Sequence, residues 1–125
     1  MCRISELPVL ALTVLSDMYG DDSNDTVVLA LSGFNLEAER YITQLQQALS
    51  HADWAGAAKL AHSVKSMAGL CGAMQLAALC QRIETAARQQ DSGQLHALQK
   101  QLAPCWQTLL QQSQTELAKR STDDG

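Results

Sequence analysis

The chain has 125 residues, of which 46% are hydrophobic and 4% aromatic, with a net charge of −4 and a pI near 5.2. This length suits one domain with a single core, the apolar fraction excludes a disordered chain, and the acidic balance argues against a nucleic-acid partner. No apolar run approaches the ~20 residues that a membrane helix needs, and the N-terminal stretch lacks a cleavage site, so we expect neither membrane insertion nor a signal peptide.

Helical periodicity dominates the first half of the chain. We predict a first helix over residues 7–19, ended by Gly20, and a long second helix over 26–50. A third helix is predicted over 54–70, with Asp53 as its N-cap. The second helix carries its apolar side chains at spacings of three and four residues, which is typical of one buried stripe. The stripe consists of Leu31, Phe34, Ala38, Tyr41, Leu45 and Leu49.

The second half continues the same pattern. A fourth helix is predicted over residues 74–90, with Leu76, Cys80, Ile83 and Ala87 facing inward. Asp91 and Gln94 have the spacing of a capping box at the start of the last helix, and Pro104 should kink or restart that helix.

These elements predict the fold class. It is all-α, an antiparallel up-down four-helix bundle with an additional N-terminal helix. We expect a single domain over residues 1–125, with its core at about 7–118 and flexible ends at 1–5 and 121–125.

The four cysteines are Cys2, Cys71, Cys80 and Cys105. None forms a C-x-x-C pair, and the spacing is not that of a zinc site. We interpret them as small buried thiols in a reducing compartment, with a Cys71–Cys80 disulfide as the alternative.

The third helix presents His62 outward. On a helical wheel at about 100° per residue, the core stripe gathers on one side and His62 lies roughly 150° from its centre. The stripe consists of Ala57, Leu60, Ala61, Val64, Ala68 and Cys71. Small residues are predicted around His62 on this face: Ala55, Ala58, Ser66 and Gly69. Lys65 lies at the edge of the same face. A glycine inside a helix costs up to about 1 kcal/mol relative to alanine, so the small surface favours close approach by another molecule.

A neutral imidazole is a good nucleophile near neutral pH and can form a covalent phosphoryl intermediate. A lysine three residues later can screen the charge of that group. The alternative is a solvated surface histidine, which is our interpretation of His51 and His96. Lys59 belongs to a solvated face or adds positive charge beside His62.

This constellation resembles the histidine-containing phosphotransfer (HPt) domain family. The family has a phospho-accepting histidine, Lys at +3, a small residue at +4 and Gly at +10, which here are His62, Lys65, Ser66 and Gly72. The resemblance covers about residues 7–102. Further matching positions are Phe34, Ala73, Leu76, Cys80, Ile83 and Glu84, and the stretch LPVLALTVLSDMYGDD is similar to the family's first helix and turn. The chain departs from the family at Ser66, often Gly, and at Ala11, often Asp.

The resemblance implies roles for individual residues. His62 would be the phospho-acceptor and Lys65 the residue that stabilises the phosphoryl charge. Glu84, at +22, would contact the imidazole, unless it is only a surface carboxylate near Lys65 or Arg88. Ser66 and Gly69 would support access to the site. The predicted partner-docking surface consists of Ala55, Ala58, Lys59, Ser66 and Gly69.

The resemblance also implies the biochemical context. Such a domain is a monomeric phosphoryl carrier without kinase or phosphatase activity of its own. It relays a phosphoryl group between aspartates of response-regulator receiver domains, and the receiver supplies Mg²⁺, so no metal ligands are expected here. We expect a cytoplasmic location. The domain would be tethered to the inner membrane if it forms the C-terminal part of a hybrid sensor kinase instead of a free-standing protein.

Two other functions remain open at this point. One is the dimerisation and phospho-acceptor domain of a sensor kinase, although such domains have an acidic residue and Arg just after the histidine, with Pro soon after, and His62 is followed by Ser, Val and Lys. The other is a non-catalytic helical adaptor in which His62 is incidental.

Overall fold

The computed structural model describes residues 3–14, 17, 20 and 23–122, with the backbone alone at 121 and 122. Four α-helices have complete bounds: α1 is Asn24–Ser50, α2 is Trp54–Cys71, α3 is Met74–Arg88 and α4 is Ser92–Thr122. A short 3₁₀ helix, Ile4–Glu6, precedes them. Short turns join the four α-helices, and α4 returns to pack against both α1 and α3. The predicted all-α four-helix bundle is confirmed, and within the described residues no helix is long and apolar enough to cross a membrane.

Side-chain caps fix three of the helix starts. The Asp53 carboxylate accepts a hydrogen bond from the Gly56 N–H at 3.0 Å, and the Asp91 carboxylate accepts one from Gln94 N–H at 3.1 Å. Both predicted caps are confirmed. Helix α1 begins two residues before the predicted start, because Ser23 provides its cap and accepts from Thr26 N–H at 3.4 Å.

The core lies between facing stripes of the four helices. Phe34 of α1 and Trp106 of α4 meet edge to face, with ring centroids 6.1 Å apart. Tyr41, predicted in the stripe of α1, is only partly buried, and its neighbour Ile42 takes the buried position. Side chains with 0 to 1% exposure fill the centre: Leu31, Leu45, Val64, Leu76, Leu79, Cys80, Ile83, Leu95, Leu102 and Leu109.

The N-terminal segment differs from the prediction at its start. Leu7 has ψ 151°, an extended conformation, because Pro8 disfavours the helical region for the residue before it. The segment then runs along the turn between α2 and α3, where Ala11 N–H donates to the Gly72 carbonyl at 2.8 Å. Gln75 donates from its backbone to Pro8 O and from its side chain to Leu7 O.

Within this segment, α-helical backbone is described at residues 13, 14 and 17. Gly20 follows in a turn, with φ +63°. The rest of the predicted first helix lies outside the described residues. The chain ends at 1–2 and 123–125 also lie outside them, and their flexibility stays a prediction.

Pro104 does not divide the last helix. The helix α4 continues through it, so the predicted restart is wrong. A proline inside a helix costs about 3 kcal/mol through a missing N–H and a steric clash. Pro104 is exposed, while Leu102 and Trp106 on either side are buried, so packing holds the helix together across this position.

Three cysteines behave as predicted for small buried thiols. Cys71 and Cys80 are buried, Cys105 is half-buried, and all three are free. Burial raises the pKa of Cys71 to about 11 and that of Cys80 to about 12, so both stay neutral near pH 7. Cys2 lies outside the described residues.

Candidate functional site

The imidazole of His62 stands on the outer face of α2, and its side chain is 56% exposed. Its Nδ1 lies 3.2 and 3.3 Å from the two carboxylate oxygens of Glu84 on α3. Glu84 itself is only 6% exposed. The outward position of His62 is confirmed, and the alternative of Glu84 as a surface carboxylate is wrong.

Two cations also bind Glu84. Lys65 Nζ donates to Oε1 at 2.9 Å, and Arg88 Nη2 donates to Oε2 at 2.7 Å. Burial raises the pKa of the Glu84 carboxyl, but hydrogen bonds from Lys65, Arg88 and His62 together outweigh burial and leave the pKa below its ordinary value. Glu84 is therefore a buried carboxylate that remains ionised.

The charge on Glu84 decides the tautomer of His62. A carboxylate can only accept hydrogen bonds, so Nδ1 must carry the proton and donate it. In the neutral ring the lone pair then lies on Nε2, at the edge that faces away from Glu84. The arrangement directs a nucleophilic nitrogen toward the exterior.

Lys65 is less exposed than predicted. Its side chain is 27% exposed, and Nζ donates to both Glu84 and Gln81, each at 2.9 Å. The amide of Gln81 donates in turn to Thr85 Oγ1 at 3.2 Å. The ammonium is thus held against α3, one turn from the imidazole.

Most of the predicted docking residues lie on the exterior. Ala55, Lys59 and Ser66 are exposed, and Gly69 is partly exposed. A Cβ atom at Gly69 would meet nothing within 4 Å, so the surface there has low relief. Ala58 is only 8% exposed and belongs to the core cluster, so its predicted outward orientation is wrong.

Gly72, the glycine at +10, has a structural role instead of a place on this surface. Its φ of +80° lies in the left-handed region, and a Cβ atom there would collide with the Ala11 carbonyl oxygen. It ends α2 and lets the N-terminal segment approach the turn.

Sequence reasoning missed an apolar groove beside the site. Leu29 of α1 and Leu70 of α2 are 75% and 53% exposed, and they help to line a groove of about 310 Å³. Leu70 follows His62 and Ser66 at four-residue steps on the outer face of α2, a spacing that was visible in the sequence. Other lining residues are Ala30, Gly33, Phe34, Glu37, Met67 and Cys71.

The remaining histidines lie apart from this network. His51 is exposed, and its Nδ1 lies 2.7 Å from the Gln47 carbonyl oxygen. His96 is exposed on α4. Among the residues that the structure describes, no group of three His, Cys, Asp or Glu side chains could hold a metal ion.

Comparisons with known proteins place this geometry in context. A family model described as Hpt domain matches residues 30–116. The fold is similar to the crystal structure of histidine-containing phosphotransfer protein B (HptB) from Pseudomonas aeruginosa PAO1, with a TM-score of 0.80 and 25% identity over 90% of this chain and 96% of that one. No curated protein matches the sequence at a significant level.

Proposed function

The chain belongs to the Hpt domain family, and we propose that it is a phosphorelay carrier with His62 as the phospho-acceptor. One observation carries this assignment to His62. Its imidazole is exposed on one edge, while the other edge is bonded to the buried, ionised Glu84. No such partner is present at His51 or His96 within the described contacts.

The proposed step is nucleophilic substitution at phosphorus. The Nε2 lone pair attacks the phosphorus of an aspartyl phosphate on a receiver domain. The N–P bond forms, the P–O bond to the aspartyl carboxyl breaks, and the carboxylate leaves. Transfer to the next receiver is the reverse, with a carboxylate attacking and the neutral imidazole leaving.

Glu84 matches this step because no proton has to leave the ring in either direction. Nδ1 keeps its proton throughout, and the carboxylate stabilises the positive charge that the ring gains while phosphorylated. Lys65, in the same network, can contact the phosphoryl oxygens and offset their charge. Lys65→Ala should therefore keep the fold but slow transfer or shorten the lifetime of phosphohistidine.

We assign partner docking to the outer face of α2. The docking surface keeps Ala55, Lys59, Ser66 and Gly69, and we extend it to the apolar groove next to Leu70. A receiver domain is the partner that this surface suits, because Leu70, which lines the groove, lies on the same outer face of α2 as His62. The flat relief at Gly69 lets two folded domains bring their reacting atoms together.

The wider context completes the proposal. The chain acts as a monomeric carrier without kinase or phosphatase activity of its own, in the cytoplasm, either free-standing or as the C-terminal domain of a hybrid sensor kinase. The receiver brings the Mg²⁺ that assists transfer.

The test is phosphotransfer from a panel of phosphorylated receivers, with the label followed in the 125-residue chain. Wild type and the His96→Gln control should gain phosphate that is acid-labile and base-stable, and His62→Gln should gain none. Labelling of His62→Gln at the wild-type level would refute the assignment. Labelling of none of the proteins by any receiver would favour the adaptor, and a dimer in light scattering would favour the sensor-kinase domain.

A further inference from the structure

Glu84 binds two cations on separate oxygens. Lys65 crosses from α2 to Oε1 at 2.9 Å, while Arg88 reaches Oε2 at 2.7 Å from the next turn of α3. Among the described residues, these two and His62 are the charged or titratable groups that contact the carboxylate. The buried Cys80 thiol nearby has its pKa raised to about 12 by burial and is neutral near pH 7.

After phosphorylation of His62, the phosphoryl group and Glu84 compete for the ammonium of Lys65. The phosphoryl group on Nε2 lies at the edge of the ring that faces away from Glu84. The ammonium donates to Gln81 and Glu84, on the Nδ1 side of the ring, so contact with phosphoryl oxygens beyond Nε2 draws it away from the carboxylate. Glu84 is 6% exposed, so water cannot fully replace the lost ion pair. A buried carboxylate that loses its partner is strongly destabilised.

We propose that Arg88 is a positioning residue that holds Glu84 while Lys65 turns to the phosphoryl group on His62, an inference that rests on the proposed function above. Arg88 bonds to the oxygen that Lys65 does not use, and it comes from the same helix as Glu84 at i+4. Its contact therefore does not depend on Lys65. The Arg88 side chain is 66% exposed, so the guanidinium remains hydrated while it does this.

We expect the loss of Arg88 to act through Lys65. Without Arg88, Glu84 has only Lys65 and the His62 ring as partners, and release of the ammonium is opposed by the carboxylate charge that it leaves less compensated. The phosphoryl group on His62 is then screened less. Loss of Arg88 should therefore resemble loss of Lys65.

The experiment compares Arg88→Gln and Arg88→Lys with the control Arg82→Gln, which removes an exposed arginine of the same helix from outside the network. Phosphoramidate serves as the donor, so no receiver is needed. The histidine Nε2–P bond forms, the P–N bond of the donor breaks, and its protonated nitrogen leaves as ammonia. The lifetime of phosphohistidine is measured after removal of the donor, and Glu84 is titrated by ¹³C NMR before phosphorylation.

We expect Arg88→Gln to shorten the phosphohistidine lifetime about fivefold, equivalent to about 1 kcal/mol. The same variant should raise the pKa of Glu84, because one of the hydrogen bonds that lower it is lost. Arg88→Lys should restore both values, and Arg82→Gln should leave both unchanged.

A wild-type lifetime in Arg88→Gln, or an equal loss in Arg82→Gln, would overturn the role of Arg88 and leave the proposed function intact. A wild-type chain that gains no phosphate on His62 from either phosphoramidate or a receiver would refute the proposed function, and the role of Arg88 with it. The two failures are thus distinguishable.

Discussion

The substitution Glu84→Gln removes one charge from the site and keeps the shape of the side chain. A glutamine amide can accept from Nδ1 of His62 through its oxygen, but it can also turn and donate through its nitrogen. The second orientation places the ring proton on Nε2, where it blocks the nucleophilic lone pair. We therefore expect slower phosphorylation of His62 for two reasons. Part of the protein would hold the ring in the unreactive tautomer, and the positive charge of the phosphorylated ring would be stabilised less.

The size of the electrostatic effect follows from the geometry at Nδ1. Two unit charges 4 Å apart interact by about 4 kcal/mol at an effective dielectric constant of 20, and by about 1 kcal/mol in bulk water. The carboxylate is buried, but the imidazole side chain is 56% exposed, which brings the pair closer to the water limit. A loss of about 1–2 kcal/mol corresponds to a rate reduction of about 5- to 30-fold.

The assay is single-turnover phosphorylation by phosphoramidate, followed as acid-labile phosphate, with Glu39→Gln as the control. Glu39 is an exposed carboxylate on α1, away from the site. A loss of less than twofold in Glu84→Gln, with both variants folded by circular dichroism, would refute the assigned role of the Glu84 charge.

Stability against pH gives a second measurement on the same variant. The pKa of Glu84 lies below its ordinary value of 4.5, so its ionised form stabilises the fold above that pH. This contribution is lost as the pH falls through the lower native pKa. Glu84→Gln should lack this part of the acid destabilisation, and an identical pH dependence in urea unfolding would contradict the shift.

Three further predictions concern the surroundings of the site. Gly72→Ala should reduce the free energy of unfolding by about 2–4 kcal/mol in urea titrations, because its φ is +80° and the added Cβ meets the Ala11 carbonyl. Gly69→Ala, with nothing within 4 Å, should be neutral or stabilise by up to about 1 kcal/mol, and equal losses in the two variants would contradict this difference. Cys80, whose pKa burial raises to about 12, should resist iodoacetamide at pH 8 until the chain unfolds, and mass spectrometry showing it labelled as fast as the half-buried Cys105 would be the contrary result. Gly69→Leu, Ser66→Phe and Leu70→Glu should weaken receiver docking at least about tenfold with helicity unchanged, since each alters an outer position of α2, and normal transfer by all three would remove this face as the docking surface.

The sequence was informative where structure depends on local periodicity. The stripe of α3, and the caps at Asp53 and Asp91, depend on neighbours within a few residues, and these predictions are confirmed. The stripe of α1 is confirmed except at Tyr41. The outward position of His62 follows from the same helical geometry.

The errors have long-range causes. Leu7 and Pro8 were predicted at or next to the start of an apolar helix. Their carbonyl oxygens instead accept hydrogen bonds from Gln75, far along the chain. Pro104 predicts an interruption of the last helix, but the buried side chains of Leu102 and Trp106 on either side keep α4 continuous. The burial of Glu84 could not be derived from one helix alone, because the depth of a side chain depends on the helix packed beside it. Its contact with Arg88 follows from the four-residue spacing within α3.

Among the described residues, the hydrogen-bond network around His62 lies within a single helical hairpin. His62 and Lys65 lie on one arm, and Gln81, Glu84 and Arg88 lie on the other, joined by the tight turn at Gly72. The other two helices supply the frame and, through α1, one wall of the apolar groove. Of the proposed docking surface, the α1 wall is the part that lies outside the hairpin. Substitutions there should change receiver affinity while the hairpin retains its charges and tautomer, whereas substitutions on the outer face of α2 should affect docking next to the reacting histidine itself.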